Sequence, residues 1–226
     1  MKINIFIFLF FIRTAFSFYS QFNVCVIGAT SSLGRELIYQ CIYDRNQKVL
    51  ALSNTSSNKV TIPFRGDSFN EEPIMDEIES KNLVIDSYWN HITDDYEHII
   101  FCTGAGPFQN DYSDKVMEKF LMNLPTKCKT VVLISAYGVG DSLNNANIGI
   151  QVMNNLYLKD VYRSKNKQEY LLLEHDDIKI RKLIYRPKAL SYGKTNFADS
   201  LSRYNLANTI LNDLKIKKTN NKKKNL

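Results

Sequence analysis

Short, largely apolar runs recur along this chain, at 24–27, 48–52, 83–85, 98–102, 130–134 and 183–185. Such runs, bounded by polar or glycine-bearing residues, read as buried strands. Between them the apolar residues change to helical spacing. Leu33, Leu37, Ile38, Cys41 and Ile42 form one stripe, and Val116, Met117, Phe120 and Leu121 form another within 113–123. A long helix is expected around 155–174, a helical turn at 88–92, a short strand or turn at 198–203 and a closing helix at 206–214. The polar segment 53–82 carries no clear periodicity. Strands that are apolar throughout and alternate with helices imply a parallel sheet covered on both faces. The expected fold is therefore α/β, a Rossmann-like doubly wound parallel sheet. It forms a single domain over 22–214, with a small substrate-side extension near the C-terminus. In such sheets ligands bind beyond the carboxyl ends of the strands, and the glycine- and polar-rich stretches of this chain fall at those ends.

The first strand runs into Gly28-Ala-Thr-Ser-Ser-Leu-Gly34 and then Arg35-Glu36. Strand, tight glycine turn and helix N-terminus in that order form a site for phosphate. A glycine permits close backbone approach, and the unpaired N–H groups with the helix dipole favour negative charge. The glycine spacing is neither the two-glycine opening of standard dinucleotide-binding dehydrogenases nor a Walker loop, which requires Lys-Ser/Thr after the last glycine.

At 226 residues the chain is long enough to bury its own core. The net charge of +6 is explained by its end, where residues 215–226 hold six lysines and no acid. The rest is close to neutral, so no specific nucleic-acid partner is expected. The 215–226 block reads as a solvated, disordered basic tail, or as a weak electrostatic anchor for membrane or RNA. At the other end, Lys2, an apolar stretch over 3–12 and Ala15-Phe16-Ser17 have the layout of a signal peptide cleaved after Ser17. That layout implies a secretory or secondary-plastid route, with no transmembrane anchor left after processing. The alternative is an aromatic extension packed beside the first strand, in a protein of the cytoplasm. The four cysteines (25, 41, 102, 128) lie in or beside apolar elements and read as small buried hydrophobes. The three histidines (91, 98, 175) show no metal-ligand spacing, and no metal is expected.

Four segments together resemble the atypical short-chain dehydrogenase/reductases, in the NAD(P)H-binding branch that includes NmrA-like and biliverdin reductase B-like proteins. GATSSLGRE resembles the family's glycine loop, with Ser31 where glycine is usual. LISAYGVGD resembles its strand ending in serine, LIYRPKALSYG its Arg-Pro strand, and LSRYNLANTILNDL its closing helix, with Asn205 in place of an acid. The order and spacing of these segments carry more weight than any one of them.

The resemblance implies a dinucleotide held by the backbone N–H groups from Thr30 to Leu33. The Thr30 and Ser32 hydroxyls would assist, and Gly28, Ser31 and Gly34 shape the loop. An acid after the second strand would bind the ribose hydroxyls of NAD. This chain has Ser53-Asn54 there, and Arg35 stands near, so NADP is preferred to NAD on charge. Asp86 takes the adenine side in preference to Asp67. Thr103, Gly104 and Ala105 flank the adenosine ribose and pyrophosphate. Lys165, with Lys167 as its substitute, holds the nicotinamide ribose and forms a Lys-x-x-x-Glu pattern with Glu169. Arg186-Pro187 shapes the nicotinamide pocket. Ser135 and Tyr137 are the candidate hydrogen-bond donors to a substrate carbonyl as hydride arrives. Each of these residues also has a structural alternative: a solvated helix face for Lys165 and Arg35, a turn for Ser135 and for Arg186-Pro187.

The Tyr-x-x-x-Lys pair of ordinary short-chain dehydrogenases is out of register, since Tyr162 and Lys165 stand three apart. The chain is thus expected to be an NADP-dependent oxidoreductase of a small carbonyl or conjugated substrate. A non-catalytic NAD(P)-binding sensor or assembly factor is the alternative. A sugar-nucleotide epimerase or dehydratase is disfavoured, because few residues follow Arg186-Pro187.

Overall fold

The computed structural model describes residues 22–54, 59–63, 77–87, 96–104, 112–145, 149, 158–176, 179–192 and 200–217. The expectations placed on residues 1–17, Asp67, 88–92, Ala105 and the last nine residues of the basic tail lie outside them.

Six strands form one sheet: β1 (Phe22–Ile27), β2 (Val49–Ser53), β3 (Leu83–Ser87), β4 (Tyr96–Phe101), β5 (Thr130–Ile134) and β6 (Arg181–Tyr185). All five pairings are parallel and the order is β3-β2-β1-β4-β5-β6. The order reverses between β1 and β4, which opens a crevice at their carboxyl ends. Two short paired strands, β7 (Leu190–Ser191) and β8 (Leu201–Ser202), follow the sheet.

Helices cover both faces because every residue of β2 and β5 is buried and successive side chains point to opposite sides. On one face Val24, Val26, Val49, Ala51, Ile100 and Val132 pack under α1 (Ser32–Tyr39) and α4 (Arg203–Asp213). On the other, Cys25, Ile27, Leu50, Leu52, Phe101 and Leu133 pack under α2 (Ser113–Met122) and against Leu172 of α3 (Lys159–Glu174). Phe101 meets Phe120 edge-on, 5.8 Å between ring centres.

The stripe expected on the first helix is buried as read, but its last part turns as a π-helix over Gln40–Asp44. This delivers Arg45 into the core. Its guanidinium donates to Ile216 O and to the side-chain oxygens of Asn208 and Asn212, each of the latter at 3.0 Å, and so ties the first crossover to the end of α4. Ile216 packs in the core, so the folded chain continues beyond the boundary expected at Leu214. All four cysteines are buried and unpaired in disulfides. Among the described residues no helix is long and apolar enough to cross a membrane.

Candidate cofactor and active site

The glycine loop is shaped by main-chain packing. Gly28 and Ala29 both donate to Leu52 O, at 2.9 and 3.0 Å, which folds the loop over the end of β2. Gly28 has φ +86°, and a Cβ there would lie 2.7 Å from the carbonyl carbon and oxygen of Cys102. A Cβ on Gly34 would lie 2.3 Å from Gly28 O. Both glycines are thus required by the turn itself, before any ligand is considered. Ser31 caps α1, its Oγ accepting from Gly34 N at 3.0 Å.

Ser31 also corrects the sequence reading. Its N–H donates to Gly28 O at 3.0 Å and is not available to a ligand. The main-chain N–H groups of Thr30, Ser32 and Leu33 have no partner among the described residues. Together with the positive end of α1 they fit an anion.

A second group gathers where β4, β5 and β6 end. The Lys165 ammonium is buried and donates to Thr103 O and, at 2.9 Å, to Ile134 O, bridging the ends of β4 and β5. Gln168, one turn on, donates to Thr103 Oγ1 at 3.1 Å and to Ser113 O at 2.9 Å. Ser135 continues β5, with its N–H bonded to Tyr185 O at 2.8 Å. Its Oγ is buried and has no hydrogen-bond partner among the described residues. Tyr137 donates from its N–H to Pro187 O at 3.1 Å, and its carbonyl accepts from the Tyr162 hydroxyl at 2.9 Å. Burial pushes the Tyr162 pKa above its ordinary value, the opposite of what a tyrosine acid needs.

Lys165 and Glu169 do not pair with each other. Glu169 takes Arg186 instead, in a two-pronged bond of 2.9 and 2.6 Å. The Lys165 ammonium reaches main-chain oxygens at the ends of β4 and β5, while Arg186 leaves β6 opposite Glu169. Arg186 is therefore a clamp between β6 and α3; its pKa is raised by the Glu169 hydrogen bond. Gly140, at φ +55°, admits this pair, since a Cβ there would fall 2.5 Å from Glu169 Oε2. Lys167 faces away from the strand ends and pairs with Asp114 at 3.0 Å, so it cannot substitute for Lys165.

The adenosine side is less assembled. Ser53 is the last residue of β2 and fully buried, not part of the following loop. The exposed residue there is Asn54. Asp86 lies inside β3, in register with Leu52, and not beyond the strand end. Arg35 donates to Thr61 Oγ1 at 2.7 Å. Gly104 is exposed, and a Cβ on it would meet only the Lys165 side chain, at 3.7 Å or more.

Sequence reasoning missed Gln168, Gly140 and the Glu169–Arg186 pairing. A glutamine and a glutamate on the apolar side of a long helix were the only visible signal. Arg203 was missed also; it stands beside Arg35, with its guanidinium 4.3 Å from the Tyr192 ring centre.

No protein-family model matches the chain, and no curated protein matches its sequence. Solved structures match its fold. A short-chain dehydrogenase/reductase from Veillonella parvula in complex with NADP superposes with a TM-score of 0.57 at 12% identity, covering 86% of this chain and 88% of that one. ChuY, an anaerobillin reductase from Escherichia coli O157:H7, gives 0.53 at 13% identity, covering 84% and 89%. WbmF from Bordetella bronchiseptica in complex with NAD+ gives 0.51 at 14% identity, covering 78% of this chain and 54% of that one, so the chain spans about half of WbmF. With its parallel 3-2-1-4-5-6 sheet and its glycine loop at the switch point, this chain has the Rossmann-type fold that these reductase structures share.

Proposed function

We propose that the protein is an NAD(P)-dependent oxidoreductase that prefers NADP and reduces a small carbonyl or conjugated substrate. The observation that carries the proposal is the Ser135 hydroxyl, buried at the carboxyl end of central strand β5 and unpartnered among the described residues. Leaving such a group unbonded costs about 1–3 kcal/mol, which a substrate oxygen would recover. The ligand-binding edge of the same sheet carries the N–H groups of Thr30, Ser32 and Leu33, unpaired among the described residues, for a pyrophosphate. Two structures of this fold hold NADP and NAD+ respectively, and ChuY is a reductase.

A bound nicotinamide would supply the hydride. The chain's own residues would orient the substrate, and Tyr137 or solvent would supply the proton that completes the reduction. Ser135 donates a hydrogen bond to the substrate oxygen as negative charge grows on it. Lys165 holds the ends of β4 and β5 at fixed spacing and would place positive charge beside a bound nicotinamide ribose. The Glu169–Arg186 clamp orients the Arg186-Pro187 turn, whose Pro187 carbonyl positions Tyr137. Lack of an acid at Asn54, with the cationic Arg35 one residue beyond the glycine loop, favours a cofactor that carries a 2′-phosphate.

One observation favours a non-catalytic NAD(P)-binding sensor as the second reading: the Tyr162 hydroxyl is spent on Tyr137 O. A panel of carbonyls and quinones with NADPH separates the two. The oxidoreductase reading expects turnover that falls at least tenfold in Ser135→Ala. Turnover unchanged in that variant would remove Ser135 from the chemistry, and NADPH binding with no turnover on any substrate would favour the sensor.

A further inference from the structure

A hollow of about 300 Å³ opens at the amino ends of β1 and β4, lined in part by Asn23, Gln47, Glu97, His98, Lys215 and Lys217. Asn23 stands five residues before Gly28, so about 17 Å of strand separates the hollow from the glycine loop. The turn after α4 fixes the two lysines. Lys215 adopts φ +59° and its N–H donates to Asn212 O at 2.8 Å, while Ile216 N–H donates to Leu211 O at 3.0 Å. Ile216 is buried between the lysines and its carbonyl accepts from Arg45. The polar groups of the hollow are only partly used. Asn23 Nδ2 donates to Gln47 Oε1, and Gln47 Nε2 donates to Arg45 O at 2.7 Å. Each amide keeps a second N–H with no partner among the described residues. His98 Nδ1 is sealed in the interior without a partner among the described residues, whereas Nε2 is not sealed off and bonds to none of them. Burial, opposed by Glu97 and aided by Lys129, holds this ring below its ordinary pKa. The neutral ring therefore carries one N–H, best placed on Nε2, where an acceptor can reach it. Glu97 is the acid in the lining, and Lys129 takes its carboxylate at 2.8 Å. Two cations against one paired carboxylate leave the hollow positive.

We propose that this hollow is a second binding site, separate from the dinucleotide crevice, for a small organic molecule that ends in an oxyanion, a carboxylate or a phosphate. Lys215 and Lys217 supply the charge. The His98 Nε2–H and the spare amide N–H groups of Asn23 and Gln47 supply donors to the anion's oxygens and to polar groups on its body. The volume lies at the lower end of that of small-molecule sites, which suits a compact metabolite. A bare halide cannot engage donors spread over three side chains, so shape selects as well as charge. A metal cation does not fit two lysines, and the described residues hold no cluster of metal-ligand side chains here. The site stands apart from the oxidoreductase reading, since its residues lie where β1 and β4 begin and beyond the end of α4.

The test is a titration of the full chain with citrate and with glucose 6-phosphate, read by NMR of the histidine ring signals at constant ionic strength, with sodium chloride as the blank. The His98 signal is the one lost in His98→Gln. It is expected to shift saturably at millimolar concentration, while the signals of the other two histidines stay in place. Saturation by citrate alone identifies a carboxylate ligand, by glucose 6-phosphate alone a phosphate, and by both the oxyanion itself. The double variant Lys215→Gln/Lys217→Gln is expected to weaken the response about tenfold, as loss of two part-exposed charges predicts, and to leave NADPH affinity unchanged. A His98 signal that neither compound moves beyond the chloride blank would overturn the proposal, in an experiment that needs no variant to fold. So would an undiminished response in the double variant. NADPH that displaces citrate from the His98 signal would overturn the separation of the two sites. Failure of NADPH to bind at all would refute the oxidoreductase reading and leave the His98 response as the test of this one.

Discussion

Replacing Gly28 by alanine tests the glycine loop as a piece of main-chain architecture. The substitution forces an L side chain to φ +86° and sets its Cβ 2.7 Å from the carbonyl carbon and oxygen of Cys102 and 2.9 Å from Thr103 N. The backbone conformation costs about 1–3 kcal/mol. The overlap adds about 1–3 kcal/mol, because it falls on main chain and not on a side chain that can swing away. Cys102 is held by its N–H bond to Ile27 O at 2.7 Å, so relief would pull β4 from β1. The sum, about 2–6 kcal/mol, is a large part of the roughly 5–15 kcal/mol that holds a domain together. Gly104→Ala is the paired control. Its Cβ would meet Lys165 only at 3.7 and 3.9 Å, so its stability should change by less than about 0.5 kcal/mol, while a methyl group on the exposed edge hinders a dinucleotide. Urea unfolding followed by circular dichroism reads both. With a slope of about 2 kcal/mol/M, a loss of 4 kcal/mol lowers the midpoint by about 2 M. A Gly28→Ala midpoint equal to the wild type would refute the packing argument, and a Gly104→Ala midpoint lowered as far would refute the distinction between the two glycines.

Other perturbations probe the framework around the site. Arg45→Met keeps the buried stem but strips the donors from Ile216 O, Asn208 and Asn212. It should cost about 2–4 kcal/mol in urea unfolding, and an unchanged midpoint would show that α4 is not anchored there. Glu169→Gln leaves Arg186 without its counter-charge at a pair whose side chains are 3% and 26% exposed. A loss of about 3 kcal/mol is expected, together with weaker cofactor binding; full stability would contradict the clamp. His98 tests a pH effect. Burial holds its imidazole below the ordinary value of 6.5, with Glu97 opposing and Lys129 adding to the shift. The unfolded chain therefore takes up the proton first as pH falls. The stability held above pH 6.5 is lost as pH drops from there through the lower folded value. His98→Gln should flatten the melting temperature over that window, and an identical pH profile in the variant would refute the assignment.

Much of the fold was legible because its central strands are apolar on both faces. The runs at 98–102 and 130–134 have no other reading than buried strands, and the helix stripe from Leu33 to Ile42 follows directly from its spacing. Edge strands read less well. β3 is only half-buried, so its polar residue Asp86 looked like the loop beyond a strand when it lies within one. Ser53 misled in the same way: it is polar, yet fully buried as the last residue of β2. The site was legible as a set of segments and not as a set of bonds. Spacing placed Lys165 and Glu169 one turn apart, but cannot show that main-chain oxygens at the ends of β4 and β5 claim the lysine while β6 sends Arg186 to the glutamate. Nor does any local pattern bring Arg203 to Arg35, since that meeting depends on α1 and α4 sharing one face of the sheet.

The N–H groups of Thr30, Ser32 and Leu33 behind Gly28, unpaired among the described residues, are proposed to hold a nicotinamide dinucleotide. Isothermal titration of the full chain with NADPH and with NADH tests it most directly. Saturable binding near one equivalent is expected, tighter for NADPH, and lost from folded protein when Gly34 is replaced by a residue whose side chain displaces Gly28 O. No heat of binding from either cofactor at millimolar concentration would contradict it.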